Sequence, residues 1–407
     1  MTSRLFHDLT EPLLFTEIFL FVDRPGSEIG TRSRVLIHHL TTRAETRQWV
    51  KSVEITTAKD WSKSMDCIAD IFVKLHNLRD IVFHGINLTD DMVRHMLHLS
   101  RPFRLKCWDT SCAAESRDLF SDTRNLQIAK LLIKGFRPPS MIPVIARLAF
   151  GSHLSVLELG QYEAPYIYLI FLQNPDHSFD SLRHLEVYEP VTQVDMTGFL
   201  SFLVSCPQLS HLGVVTVHTF MSEAKPTFLL PPTAISHLSS FDAPFYLAGL
   251  LAQGRPVISL RLRCRAESDL DRELLSQLAN GSTPLRELNA INLIWRDDVL
   301  LDVVEYLPTL QSLKIQVVGK HGFNWMLDRL ASGVQLLPSL QQFVVYNFTR
   351  PGICSADIDH VSLEPPLGPL KAANDFLEPI GFRLKTERCK GEMQWVFLPL
   401  SRLPVLH

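Results

Sequence analysis

The stretch Ser181-Leu182-Arg183-His184-Leu185-Glu186-Val187-Tyr188 carries the skeleton apolar-x-x-apolar-x-apolar. A second copy follows at Gln208-Leu209-Ser210-His211-Leu212-Gly213-Val214, after a helix-like run from Met196 to Cys206. Val50-x-x-Val53-x-Ile55 is the first full match along the chain. Marked by its first apolar position, the ladder runs Val50, Leu78, Pro102, Ile128, Leu154, Leu182, Leu209, Leu238, Val257, Leu285, Leu310, Leu340, in steps of 19 to 30 residues. The Pro102 rung is the weakest, and the 19-residue step leaves room only for a short return segment from Phe245 to Gln253.

One short strand and one return segment per unit, repeated at this period, is the signature of a leucine-rich repeat. No such unit can shield its own leucines, so neighbours must stack. The expected fold is an α/β leucine-rich-repeat solenoid of about a dozen units, with parallel strands on the concave side and helices on the convex side. Its expected parts are an N-terminal cap region over 1–48, the repeat array over 49–350, and a C-terminal cap over 351–407.

Totals agree with an elongated array. The chain has 407 residues, 46% of them hydrophobic, more than one compact core normally serves. With 40 Lys+Arg against 43 Asp+Glu the formal charge is −3, which gives no support to a polyanion-binding surface. Seven scattered cysteines (67, 107, 112, 206, 264, 354, 389) favour reduced thiols, hence the cytoplasm, with the nucleus as second compartment. Arg4, Asp8, Glu11 and Glu17 interrupt any signal-peptide core, and no apolar run reaches the roughly 20 residues of a membrane span. The sequons at Asn87, Asn280 and Asn347 read as chance matches on this basis.

Leu5 to Val22 ends strand-like at Ile18–Val22, and Pro25-Gly26 marks a turn. Thr31 or Ser33 is placed to cap a helix that carries Val35, Leu36 and Leu40 on one face. Thr89-Asp90-Asp91 looks like a helix start before Met92, Val93, Met96 and Leu97. Asp271 to Asn280, stopped by Gly281, presents Leu274, Leu275 and Leu278, while Asp297 to Leu307 presents Val299, Leu300, Val303, Val304 and Leu307. Prolines at 138–139, 231–232 and 365–366 read as loops. A helix over Leu370 to Leu377 is expected to follow, then a hairpin in which Phe382–Thr386 and Trp395–Phe397 flank Lys390-Gly391 and cover the last sheet edge.

Leu5–Val22, the Val35–Leu40 helix and the strand Trp49-Val50-Lys51-Ser52-Val53-Glu54-Ile55 resemble the region just after the F-box in fungal F-box/leucine-rich-repeat proteins. Cys206-Pro207-Gln208-Leu209 is similar to the Cys-Pro-x-Leu strand entry of the cysteine-containing repeat subclass, and Leu88-Thr89-Asp90 to its helix start. The resemblance implies the substrate-recognition part of an SCF-type ubiquitin-ligase receptor. Only Met1 to Arg4 precede the matching region, too little for the three helices that dock on Skp1. The chain is therefore expected to be a member without its F-box or a gene model missing its start, and Skp1 or cullin is a partner only if an F-box exists upstream. No residue here inherits Skp1 binding.

In the skeleton the apolar positions point inward and the residues between them point to the opposite, concave face. That face is expected to show Arg104, Lys106 and Trp108, then Lys130, Lys134 and Glu158, then His184, Glu186, Tyr188 and His211. Asp242, Arg261, Arg263, Lys314 and Tyr346 complete it. Trp, Tyr and Arg are enriched at interfaces, so Trp108, His184, Glu186, Tyr188, His211, Arg261, Arg263, Lys314 and Tyr346 are the candidate partner-binding residues. The plainer alternative for each is an ordinary solvated strand position. Arg261, Arg263 and Arg265 make too narrow a stripe for nucleic acid. His95 and His98 share a helix face but lack further metal ligands, and Cys107 with Cys112 has no second pair. Gly-x-Ser-x-Gly, His-Glu-x-x-His and Gly-x-Gly-x-x-Gly are absent, and Gly319-Lys320 lacks the upstream glycine of a phosphate loop. The sequence thus points to a non-enzymatic module with no cofactor, an unknown protein ligand, no nucleic acid and no membrane partner. A stand-alone interaction scaffold unrelated to ubiquitin is the alternative.

Overall fold

The computed structural model describes residues 10–22, 28–57, 72, 74–88, 92, 96, 99, 101–112, 127–135, 148, 153–173, 178–190, 192–215, 230–231, 233–264, 270–293, 298–317, 337, 339–347, 382–389 and 392–399. They fall into two compact units, Met1–Leu209 with Val217–Phe228 and Thr233–Ile235, and Ser210–Thr216 with Leu229–Pro232 and Ser236–His407.

Unit 1 contains β1 (Glu17–Val22), α1 (Glu28–Thr42), α2 (Ala44–Trp49), β2 (Ser52–Thr57), β3 (Asp80–His84), β4 (Asn87–Leu88), β5 (Phe103–Trp108), β6 (Ser111–Cys112), β7 (Ile128–Lys134), β8 (Val156–Leu159), α3 (Ala164–Gln173), β9 (His184–Tyr188) and α4 (Gln193–Val204). Its main sheet runs β1-β2-β3-β5-β7-β8-β9, parallel at every pairing, and β4 and β6 form a small parallel pair. Parallel neighbours need a crossover of a dozen or more residues, which the repeat period supplies. The second and third skeleton positions from Val53 and Ile55 through Leu185 and Val187 are each at most 2% exposed. The sheet begins at β1, one strand before the first full match to the skeleton.

Several features of unit 1 depart from the sequence reading. The first helix starts at Glu28, so Thr31 and Ser33 lie inside it. Ser33 is buried and its hydroxyl accepts from the Phe21 amide at 2.9 Å, tying the helix to β1. Only Leu40 of the expected stripe is buried, whereas Val35 is 65% exposed, because the inward face runs through Ser33 and Leu40. At the weak rung, Pro102 is exposed and Phe103 is buried in its place. Proline has no N–H to donate. The Phe103 amide instead donates to the Gln127 carbonyl, and the register shifts by one residue between Phe103 and Arg104. The ladder's other first positions are all buried.

The return after β9 begins at Gln193, three residues before the expected Met196, because Thr192 and Asp195 form a reciprocal capping box. α4 packs on α3 so closely that a Cβ at Gly198 would fall 2.5 Å from the Tyr168 carbonyl oxygen. The buried Tyr168 hydroxyl donates to the Tyr188 carbonyl at 2.7 Å, which anchors the end of β9.

Unit 2 contains β10 (His211–Val215), β11 (Ser240–Pro244), α5 (Phe245–Ala252), β12 (Ser259–Arg263), α6 (Arg272–Ala279), β13 (Glu287–Leu293), α7 (Val299–Tyr306), β14 (Ser312–Val317), β15 (Gln342–Asn347), β16 (Phe382–Cys389) and β17 (Glu392–Pro399). β10 to β15 are parallel neighbours in chain order, and the short return is the eight-residue α5. Asp271 caps α6 by accepting from the Leu274 amide at 2.9 Å, and Leu274, Leu275 and Leu278 are buried as expected. In α7, Val299, Leu300 and Val303 are buried. The expected hairpin is present: β16 and β17 pair antiparallel, and β17 pairs antiparallel with β15, covering that edge.

The shortened return around α5 has its own fastening. Arg255 is 1% exposed, and its guanidinium donates to the carbonyls of Leu250 (2.9 Å), Gln253 (3.0 Å), Pro231 (3.0 Å) and Leu230 (3.4 Å). Burial lowers its pKa from the usual arginine value. It thereby fastens Leu230-Pro231 to the end of α5. The expected loop at 138–139, helix start at Thr89-Asp90-Asp91, pair His95 and His98, helix at Leu370–Leu377 and prolines at 365–366 lie outside the described residues.

Candidate functional site

A parallel sheet in register places side chains in rows, because successive residues alternate faces and each partner stands opposite its neighbour. In unit 1 three rows cross the face opposite the leucines. One runs Glu17, Ser52, Asp80, Arg104, Lys130, Val156, His184, and the next Phe19, Glu54, Val82, Lys106, Leu132, Glu158, Glu186. A third runs Phe21, Thr56, His84, Trp108, Lys134. Trp108, His184, Glu186 and Tyr188 all lie partly exposed on this side, as the alternation implies.

Trp108 is embedded in contacts. Its ring centroid is 4.1 Å from that of His84, and the Lys106 ammonium lies 5.9 Å from its centre, within cation–π range. His84 Nε2 is 3.5 Å from Glu54. Further along, Lys134 Nζ is 3.9 Å from Glu158 and 3.9 Å from Glu186, one ammonium serving two carboxylates.

Unit 2 has its own rows: His211, Ser240, Ser259, Glu287, Ser312, Gln342, and beside it Gly213, Asp242, Arg261, Asn289, Lys314, Val344. Arg263 grips Asp242 with two parallel bonds, Nε to Oδ1 and Nη2 to Oδ2, each 2.8 Å. Arg261 approaches the same carboxylate only to 3.7 Å and is 54% exposed. Asn289 stands between Arg261 and Lys314, and its Oδ1 is buried with no donor among the described residues. Such an oxygen costs about 1–3 kcal/mol. Tyr346 pairs with Gln316 and Gln394 along the last strands.

The structure therefore places Trp108 with His84, Glu186 with Lys134, and Arg261 with Arg263 about Asp242. His184 is in register with Val156, and His211 with Ser240, where the neighbouring Ser210 hydroxyl lies 2.8 Å from His211 Nδ1. Sequence reasoning passed over Phe19 (65% exposed), His84 and Asn289. The first belongs to a strand ahead of the ladder. The other two were findable from strand alternation alone. Val82 and Val344 occupy open-face positions and are nevertheless buried. Long neighbours flank each in register, Glu54 and Lys106 for Val82, and Lys314 for Val344.

Cys107, Cys206 and Cys264 are buried and not disulfide-bonded. Cys107 fills a core strand position, and burial pushes the Cys107 and Cys206 thiols well above their usual range.

In-register parallel strands on an apolar-x-x-apolar-x-apolar skeleton, with helical returns, define a leucine-rich-repeat fold. No family model and no curated protein matches the chain. Among solved structures it is similar to the yeast Rad7–Elc1 complex, at 14% identity over 70% of this chain and 73% of the other, with a TM-score of 0.44. The leucine-rich-repeat protein LegL7 of Legionella pneumophila is similar at 13% identity over 81% and 90%, TM-score 0.41. The TLR13–ssRNA13 complex is similar at 13% over 75% and 41%, TM-score 0.37.

Proposed function

We propose that the chain is a non-enzymatic protein-recognition module that binds its partner on the open faces of its sheets. The observation that carries this is the set of registered rows. In the parallel strands from β2 to β14 whose side chains are described, one face is committed to the leucine core, which leaves the other to present aromatic, cationic and anionic side chains at fixed strand spacing. Trp108, Tyr188 and Arg261 supply the residue types on which interface energy concentrates. The test is quantitative affinity capture from the native organism with the parent chain, the face variants Trp108→Ala and Tyr188→Ala, and Val204→Ala on the exposed side of α4 as control. Proteins retained by parent and control but lost by a face variant are the expected result. Equal capture by all four overturns the reading.

Within this reading, the resemblance to fungal F-box/leucine-rich-repeat proteins favours the substrate-recognition part of a ubiquitin-ligase receptor, acting in the cytoplasm or nucleus. Buried reduced thiols suit those compartments. Skp1 and a cullin recovered with the full-length product would support it. Their absence leaves the stand-alone scaffold.

A further inference from the structure

We infer that the Arg261–Asn289–Lys314 row of unit 2 is a docking site for an acidic, extended peptide segment of the partner, an inference that rests on the recognition reading above. Three cations face this side, Arg261, Arg263 and Lys314, against the carboxylates of Asp242 and Glu287. Their engagement is unequal. The two oxygens of Asp242 are taken by the fork of Arg263 at 2.8 Å each, and the Glu287 carboxylate accepts from the Ser259 hydroxyl at 2.9 Å. Arg261 is left at 3.7 Å from Asp242 and more than half exposed, and Lys314 has no carboxylate within ion-pair distance among the described residues. Both project from strands that flank β13, so the two charges straddle Asn289.

A peptide fits this row better than a free anion. Arg261 and Lys314 need carboxylates, whereas the enclosed Asn289 oxygen needs an N–H. An acidic side chain together with a backbone amide supplies both, once the two long side chains turn toward the ligand. Arg263 keeps Asp242 neutralised throughout, so the site does not collapse onto its own acid.

The experiment is selection of a phage-displayed random dodecapeptide library on the full chain. The parent is run beside Arg261→Glu/Lys314→Glu and the neighbouring-row control Ser240→Ala, each first shown to melt like the parent. The expected outcome is enrichment of sequences with two or more Asp or Glu by parent and control. That enrichment is lost in the charge-reversed variant, and synthetic copies of the winners bind it at least tenfold more weakly by fluorescence anisotropy. Enrichment without acidic bias, the same winners from the charge-reversed variant, or no enrichment at all each overturn the inference. So does preference for a phosphoserine copy of a winner over its glutamate form. Should capture still depend on Trp108 or Tyr188 while the peptides fail, only the acidic assignment falls and the recognition reading stands.

Discussion

In unit 1 the ammonium of Lys134 lies 3.9 Å from Glu158 and from Glu186. In unit 2 the carboxylate of Asp242 lies between Arg263 and Arg261 at 2.8 and 3.7 Å. The stoichiometry is inverted and so is the outcome. A lysine is a point charge that two carboxylates share loosely, so no member of the unit 1 cluster is locked. An arginine fork matches both oxygens of one carboxylate, so Arg263 and Asp242 become a fixed pair and Arg261 is left over. The unit 1 face thus has an excess of acid beside aromatic residues, and the unit 2 face an excess of base beside hydroxyls and an asparagine.

Both faces sit on buried leucine cores, and the largest expected effects come from breaking those cores. Leu185→Asp in unit 1 and Leu260→Asp in unit 2 each replace a buried leucine, worth roughly 1.5–3 kcal/mol, with an unpaired charge. Both should lower the thermal midpoint sharply or abolish soluble expression. A melt like the parent's for either would mean that the strand faces the other way. Arg255→Met should follow, because several carbonyls lose a charged donor worth about 1.5–3 kcal/mol each when well formed. Chemical denaturation should show lower stability, and limited proteolysis should cut near Leu230-Pro231 faster.

Smaller effects separate the two clusters. Arg263→Ala should cost about 1 kcal/mol, since its pair is bidentate and only about a quarter exposed. Arg261→Ala and Lys134→Ala should change stability by less than about 0.5 kcal/mol. Equal losses for Arg261→Ala and Arg263→Ala in urea titrations would show that Asp242 does not discriminate between them. The smallest expected effect is none: with thiolates disfavoured by burial, Cys107 and Cys206 should escape alkylation at pH 8 in the native protein and react after unfolding. Mass mapping of the labelled peptides reads this directly, and rapid native labelling at either site would place that thiol outside the core.

Much of the candidate surface was legible beforehand because strand alternation is a local rule. Once Leu185 and Val187 are inward, Glu186 must face the other way. The same rule placed Arg261 between Leu260 and Leu262. It failed at Val82 and Val344, which stand at open-face positions and are buried, whereas alternation held through Phe103–Trp108 and only the first apolar position moved, from Pro102, which has no N–H to donate, to Phe103. Helix faces were harder. Val35 has the right period for a core position, but the side of α1 that meets β1 is chosen by Ser33 and its bond to Phe21, a contact that no spacing encodes.

The amino-acid sequence by itself determined the repeat, the direction of the strand side chains and the closing hairpin, because these follow from periodicities of two and of one repeat length. Only the tertiary structure decided which strands stand side by side in which register, and so which charges meet. That Arg263 rather than Arg261 captures Asp242 depends on a separation of 2.8 against 3.7 Å at one carboxylate, and that Asn289 is enclosed between Arg261 and Lys314 depends on the register of three strands far apart in the chain. Composition and spacing carry no information at that resolution.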